Sequence, residues 1–236
     1  MNRAAPDVLV TVAFRALIAL AATVGVTIEC VYGSLPVVLS FFTIWTNILV
    51  AVVFALSAGR AWQRRPDPGP LWRGGVLLFI LVTGLVFHLV LANPSSPFNV
   101  VSELDRLTGA KAVANQLLHT VTPIGAALDF LLLTAPRTLR PRHAAQWLAW
   151  PLAYLTCALI RGAVLAPGAR ARYPYPFVDV ARYGYDRVAL NALVLGAVFY
   201  ALGLALVAAD RFRPDLRPGR ASRENRISSP ADGPLK

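Results

Sequence analysis

Long apolar runs separated by short polar segments dominate the chain. A helix that crosses a bilayer needs about 20 mainly apolar residues, because about 30 Å of hydrocarbon is crossed at about 1.5 Å per residue. Six runs have that character, at approximately residues 8–32, 35–57, 71–92, 112–135, 144–165 and 188–209. The pattern therefore predicts an all-α fold, a polytopic membrane bundle of six transmembrane helices.

Arginines between the apolar runs indicate how the bundle is oriented. Short cytoplasmic loops collect Lys and Arg, and three segments are rich in arginine: 60–73, 137–142 and 211–226. These three segments alternate with segments of little net charge, which places them on one side and both termini in the cytoplasm. The loop 166–187 fits less well, since its arginines outnumber its aspartates, but the parity of six spans puts it outside.

Composition supports a membrane protein. Hydrophobic residues make up 56% of the chain and charged residues 15%, compared with roughly 25% charged residues in soluble domains. The net charge of +11 comes from short clusters instead of one basic stripe, so we expect no nucleic-acid partner. The bias towards Arg, Ala and Leu is typical of a GC-rich bacterial genome, and we expect the bacterial inner membrane as the location.

The end of the chain differs from the rest. Residues 214–236 are rich in Pro, Gly, Ser and Arg and contain few apolar side chains, so they cannot form a core. We expect a transmembrane domain over 1–213 followed by a disordered basic cytoplasmic tail over 214–236. Lipid head groups are the natural contacts of such a tail.

Two opposite charges lie at similar predicted depth near the inner side. An ionisable side chain near the middle of a bilayer costs about 2.5 to 3.5 kcal/mol on insertion scales, so it needs a partner or a function. Counting along antiparallel helices places Arg15 and Asp129 at one level. The simplest interpretation is a structural ion pair between the first and fourth spans, and the alternative is a role with a substrate or a proton.

A second group of polar residues lies towards the outer side. Its charged or reactive members are Glu29, Thr43, His88, His119 and Arg161. They include a hydroxyl, two imidazoles, a carboxylate and a cation, which predicts a polar pocket.

The surroundings of the histidine at 119 strengthen this prediction. Asn115 shares its helical face, and Asn47 shares a face with Thr43. Pro123 cannot donate to the carbonyl of His119, so the helix should distort there. We expect Asn47, Asn115 or Arg161 to supply a hydrogen-bond donor to the pocket.

Ordinary structural roles are open for the same residues. A threonine in a membrane helix commonly bonds the carbonyl four residues earlier, which for Thr43 belongs to Leu39. A histidine can simply bridge two helices, and Arg161 can extend to the outer head groups. Glu29 and His88 lie close enough to the interface to reach water.

Three short stretches carry a resemblance to a known family. They are residues 40–47 (SFFTIWTN), residues 117–123 (LLHTVTP) together with Asp129, and the Tyr-Pro-Phe element 175–177. In this order they resemble the androgen-induced and androgen-dependent TFPI-regulating protein family of multi-pass membrane threonine hydrolases. The resemblance covers nearly the whole membrane core. It implies a nucleophile at Thr43 and a base at His119, acting on fatty acid esters of hydroxy fatty acids.

We therefore expect an integral-membrane lipid esterase that binds a fatty acyl ester and needs no metal or other cofactor. Thr46 and Thr120 are alternative nucleophiles if the short alignments are shifted. The competing hypothesis is a non-catalytic lipid-binding or transport protein that uses the same pocket. The sequence does not indicate an oligomeric state.

Overall fold

The computed structural model describes residues 6–217, and over this range the chain is helical with no strand. This confirms the all-α prediction. The predictions for residues 1–5, and for the predicted tail beyond residue 217, lie outside the described residues.

Ten α-helices and three short segments of other helical type make up the described chain. Prolines occupy the first position of α4 and α8, where the missing N–H costs nothing. The α-helices are α1 Pro6–Tyr32, α2 Leu35–Val38, α3 Phe42–Trp62, α4 Pro70–Val86, α5 Val101–Leu104, α6 Gly109–Gln116, α7 Thr122–Leu132, α8 Pro141–Trp147, α9 Ala149–Val164 and α10 Val180–Phe212. Two π-helical turns, Phe87–Leu91 and Leu117–Val121, continue α4 and join α6 to α7, and a 3₁₀ turn covers Pro176–Val178.

Five helical segments of the described chain are long and apolar enough to cross a membrane. They are Asp7–Tyr32, Phe42–Trp62, Pro70–Leu91, Pro141–Val164 and Val180–Phe212. A multi-pass membrane protein is expected from these segments. The fourth predicted span, 112–135, is also helical, from Gly109 through Leu132, but it contains several polar residues and does not reach the same apolarity.

The second predicted span is wrong at its start. A continuous helix over 35–57 was expected, but Phe41 is extended (φ −89°, ψ 135°), so the chain forms the single turn α2 and starts again as α3 at Phe42. Thr43 therefore lies in the first turn of α3. Similarly, α10 contains a break at Gly184, whose φ of 76° suits a residue without a Cβ.

Two large apolar clusters stabilise most of the helix packing in the bundle. In the first, α1, α3, α4 and α7 pack around Ala22, Val50, Ile80 and other buried side chains. In the second, α4 and the start of α3 pack against α8, α9 and α10. Helix α4 contributes to both clusters, and the candidate site lies where α3, α4 and the π turn before α7 meet.

The polar segments gather at two opposite ends of the bundle. The arginine-rich segments lie together as far as residue 217, since Arg137 N donates to the Asp210 carbonyl and Arg73 pairs with Asp129. The other end holds the loops around Ser40 and Tyr175, which α9 and α3 contact.

Candidate active site

Thr43 and His119 meet at the end of the bundle that holds the loops around Ser40 and Tyr175. Thr43 lies in the first turn of α3 and is 8% exposed. His119 lies in the π turn Leu117–Val121, and its Nε2 is 3.2 Å from Thr43 Oγ1. The contact joins residues 76 positions apart in the chain.

The second ring nitrogen of His119 fixes the direction of this hydrogen bond. Nδ1 lies 3.1 Å from the carbonyl oxygen of Asn115, which can only accept, so Nδ1 carries the hydrogen. In the neutral imidazole Nε2 is then an acceptor, and the Thr43 hydroxyl donates to it. The ring of Phe87 stacks on the imidazole with centroids 4.1 Å apart, which restrains its rotation.

Tyr175 is the third group at the Thr43 hydroxyl. The Thr43 N–H, one of the free donors of the α3 N-terminus, donates to Tyr175 Oη at 3.3 Å. The single hydrogen of the Thr43 hydroxyl is donated to His119, so in the contact between Thr43 Oγ1 and Tyr175 Oη, also at 3.3 Å, the tyrosine hydroxyl is the donor. The hydroxyl end of the side chain is enclosed, and burial raises the pKa of the Tyr175 phenol. Tyr175 was not among the site residues predicted from the sequence, although it belongs to the Tyr-Pro-Phe element 175–177.

Asn47 holds the backbone on which the pair is built. Its Nδ2 donates to the carbonyls of Thr43 at 2.9 Å and Leu118 at 3.2 Å. Its Oδ1 accepts from the Thr122 hydroxyl at 2.8 Å. Asn47 is fully buried, and both amide hydrogens are used in these bonds. It therefore connects α3 to the histidine-bearing segment and is not aimed at a bound ester.

The helix distortion expected beside His119 takes the form of the π turn. Pro123 follows the turn and leaves the His119 carbonyl without its usual helical donor. Helix α4 approaches this place closely at Gly84, where a Cβ would lie 3.0 Å from Pro123 and 3.2 Å from the His119 oxygen. Single π turns are frequent at functional sites, and here the turn bears the imidazole.

Other predicted pocket residues have partners elsewhere. Glu29 Oε2 accepts from Lys111 Nζ at 2.5 Å, an ion pair between α1 and α6. Arg161 Nε donates to the Ala171 carbonyl at 3.0 Å and ties α9 to the following loop. Asn115 contributes its backbone carbonyl to the His119 ring. None of these three side chains lines the described cavity that contains Thr43 and His119.

A second threonine–histidine pair has the opposite polarity. His88 Nε2 lies 3.1 Å from Thr120 Oγ1, but the Thr120 hydroxyl donates to Gln116 Oε1 at 3.0 Å. The imidazole must then donate to Thr120, so it cannot accept the hydroxyl proton. His88 is also exposed. Thr46, the other alternative nucleophile, is buried, and its hydroxyl has no hydrogen-bond partner among the described residues.

Arg15 and Asp129 form an ion pair, and two further residues close it into a ring. Arg15 Nε lies 2.8 Å from Asp129, and its Nη1 lies 2.7 Å from Asp67. Arg73 also contacts both aspartates, and it donates to Thr134. The ring lies at the arginine-rich end, away from Thr43.

A cavity of about 160 Å³ contains the Thr43–His119 pair at one of its walls. Apart from the hydroxyls of Thr43, Thr83, Tyr154 and Tyr175 and the ring of His119, the described lining is apolar. A hydroxyl bonded to a neutral imidazole inside an apolar cavity can act as a nucleophile on an ester carbonyl.

Comparison with known proteins found no matching family model, no matching curated protein and no matching solved structure.

Proposed function

We propose that the protein is an integral-membrane lipid esterase in which Thr43 is the nucleophile and His119 the base. The observation that carries the proposal is the direction of the Thr43–His119 hydrogen bond, because the Asn115 carbonyl leaves only Nε2 free to accept the hydroxyl proton. The resemblance of residues 40–47 and 117–123 to membrane threonine hydrolases points to the same two residues, and to fatty acid esters of hydroxy fatty acids as the substrate class.

The reaction proceeds in two halves. His119 Nε2 takes the Thr43 proton while Oγ1 attacks the ester carbonyl, and the resulting oxyanion collapses as the alcohol leaves with the proton from Nε2. Water then attacks the acyl-threonine after giving a proton to His119. Release of the fatty acid returns that proton to Thr43.

Two features beside Thr43 favour negative charge on the carbonyl oxygen of the substrate ester. The positive end of the helix dipole lies there, and the Tyr175 hydroxyl is directed to Oγ1. We assign Tyr175 as the oxyanion donor. Asn47, Asn115 and Arg161, which the sequence offered as donors to the pocket and hence to the oxyanion, are replaced in this role. Asn47 uses both amide hydrogens on backbone carbonyls, and the side chains of Asn115 and Arg161 lie outside the cavity lining.

The membrane arrangement is part of the proposal. We propose six spans, counting the polar helix through His119 as the fourth, with the arginine-rich end in the cytoplasm of a bacterium and the Thr43 end facing outward. Lys and Arg concentrate in short cytoplasmic loops, which supports this orientation.

Kinetics of purified variants test the proposal. Thr43→Ala and His119→Ala should each lower hydrolysis of long-chain esters by about 10³-fold or more, and the double variant should be no worse, because nucleophile and base act as a unit. Thr43→Ser should keep partial activity. Thr83→Ala is the matched control, since Thr83 lines the same cavity but donates to the Phe79 carbonyl. A Thr43→Ala enzyme with the full wild-type rate would disprove the assignment, and a wild type that binds lipid without hydrolysing any ester would favour the non-catalytic alternative.

A further inference from the structure

The cavity at Thr43 continues away from the catalytic pair along three helices. Its walls include Val82 and Val86 of α4, Leu152 and Leu155 of α9, and Leu195 of α10. The lining extends from Leu148, the residue before α9, to Leu155 of α9, which is about 10 Å along the helix axis at about 1.5 Å per residue. The cavity is therefore elongated along the helices, in the direction of lipid tails.

Polar groups are concentrated at the Thr43 end of this cavity. The hydroxyl of Thr83 donates to the Phe79 carbonyl at 2.9 Å, and that of Tyr154 donates to the Ser40 carbonyl at 2.8 Å. Both hydrogens are thus already used within the protein. The described lining contributed by α9 residues 148–152 and by α10 offers only apolar surface, which suits a hydrocarbon chain.

Exposure increases from the reactive end towards the α9 and α10 walls. Thr43 is 8% exposed, whereas Leu152 is 59% exposed and Leu155 and Leu195 are intermediate. Both α9 and α10 belong to segments apolar enough to cross a membrane. The cavity thus reaches the lateral surface of the bundle between two spans.

Small residues widen the α10 side of the cavity. Ala192 and Gly196 are four positions apart, so they share one helical face, and both line the cavity. A Cβ built on Gly196 meets no atom within 4 Å, so that position borders open space. A side chain can therefore be added at this lining position without a clash at its Cβ.

We infer that the space between α9 and α10 is the binding site for the acyl chain of the substrate, and that Gly196 determines how long a chain fits. This inference rests on the proposed esterase function for its catalytic consequence. The ester carbonyl would lie at Thr43, and the chain would extend along α9 and α10. The lateral opening lets a lipid enter from the bilayer without crossing water.

Chain-length profiles of a glycine substitution test this site. We compare the full-length wild type with Gly196→Leu on p-nitrophenyl esters of increasing acyl length. The substitution should lower kcat/KM for long chains by about tenfold or more and leave the shortest esters within about twofold. Leucine is a better helix former than glycine, so loss of the helix is not expected. Gly59→Leu is the matched control, because Gly59 also lies in a helix with nothing near its Cβ and does not line this cavity.

A binding measurement separates this inference from the proposed function. A palmitic acid analogue with a diazirine near its methyl end is photolysed with the Thr43→Ala protein, and the labelled peptides are identified by mass spectrometry. Labels on residues 148–155 and 192–199, reduced by Gly196→Leu and not by Gly59→Leu, support the site even if no ester is hydrolysed. An unchanged chain-length profile in Gly196→Leu, or labels confined to other helices, would overturn it.

Discussion

The ring of four charges at the arginine-rich end offers a quantitative test of how the bundle is stabilised. Arg15 and Arg73 each contact both Asp67 and Asp129. Arg15 is 2% exposed and Asp129 1%, whereas the Asp67 side chain is 33% exposed. The two carboxylates therefore carry equal charge in very different surroundings.

Their burial predicts different costs for the same substitution. Asp129→Asn leaves the buried Arg15 and the mostly buried Arg73 sharing one carboxylate, and breaking a buried ion pair in this way costs about 3 to 5 kcal/mol. Asp67→Asn removes a carboxylate that water already screens, so we expect a cost of about 1 kcal/mol. Replacing both Arg15 and Asp129 by apolar residues removes the unpaired charge as well as the pair. The double variant Arg15→Met/Asp129→Leu should therefore cost less than the sum of the single changes, by about 0.5 to 3 kcal/mol.

Unfolding of purified protein in mixed detergent micelles, followed by tryptophan fluorescence during titration with a denaturing detergent, measures these free energies. Equal losses for Asp67→Asn and Asp129→Asn would refute the argument from burial. Additive losses in the double variant would refute the coupling between Arg15 and Asp129.

Three further predictions concern Tyr175, the pH dependence and the topology. Tyr175→Phe should lower kcat by about 10²-fold with a smaller change in KM. The control Tyr154→Phe loses only a bond to the Ser40 carbonyl and should not lower kcat in this way. Equal effects of the two substitutions on kcat would exclude an oxyanion role for Tyr175. Because burial raises the pKa of Tyr175, this donor stays protonated, and its ionisation should not lower activity below about pH 10. A phosphatase fused after residue 236 should be inactive because it stays in the cytoplasm. A phosphatase inserted in the loop 165–187 should be active because it reaches the periplasm. The reverse pattern would contradict the proposed orientation.

Depth along each helix could be predicted from the sequence. The rise per residue is nearly constant, so counting residues brought Arg15 level with Asp129 and Thr43 near the level of His119. The structure places both pairs in contact. The start of α3 was misjudged because the apolar run continues through Phe41, while the extended backbone at that residue interrupts the helix.

Rotation about the helix axes and the paths of loops could not be predicted in the same way. Glu29 and Arg161 have depths compatible with the pocket, but packing turns them towards Lys111 and the Ala171 carbonyl. Tyr175 reaches Thr43 from a loop 132 residues further along the chain, and Asp67 joins the ionic ring from another loop. Such contacts depend on tertiary packing, which the periodicity of a single helix does not determine.

The most direct test of the central hypothesis is labelling of the purified protein with a fluorophosphonate probe, which reacts with an activated hydroxyl. We predict a single covalent adduct on Thr43, located by peptide mass spectrometry, present in the wild type and in Thr43→Ser, weak in His119→Ala and absent in Thr43→Ala. An unlabelled wild type that is folded, or an adduct that persists in Thr43→Ala at full intensity, would contradict the account.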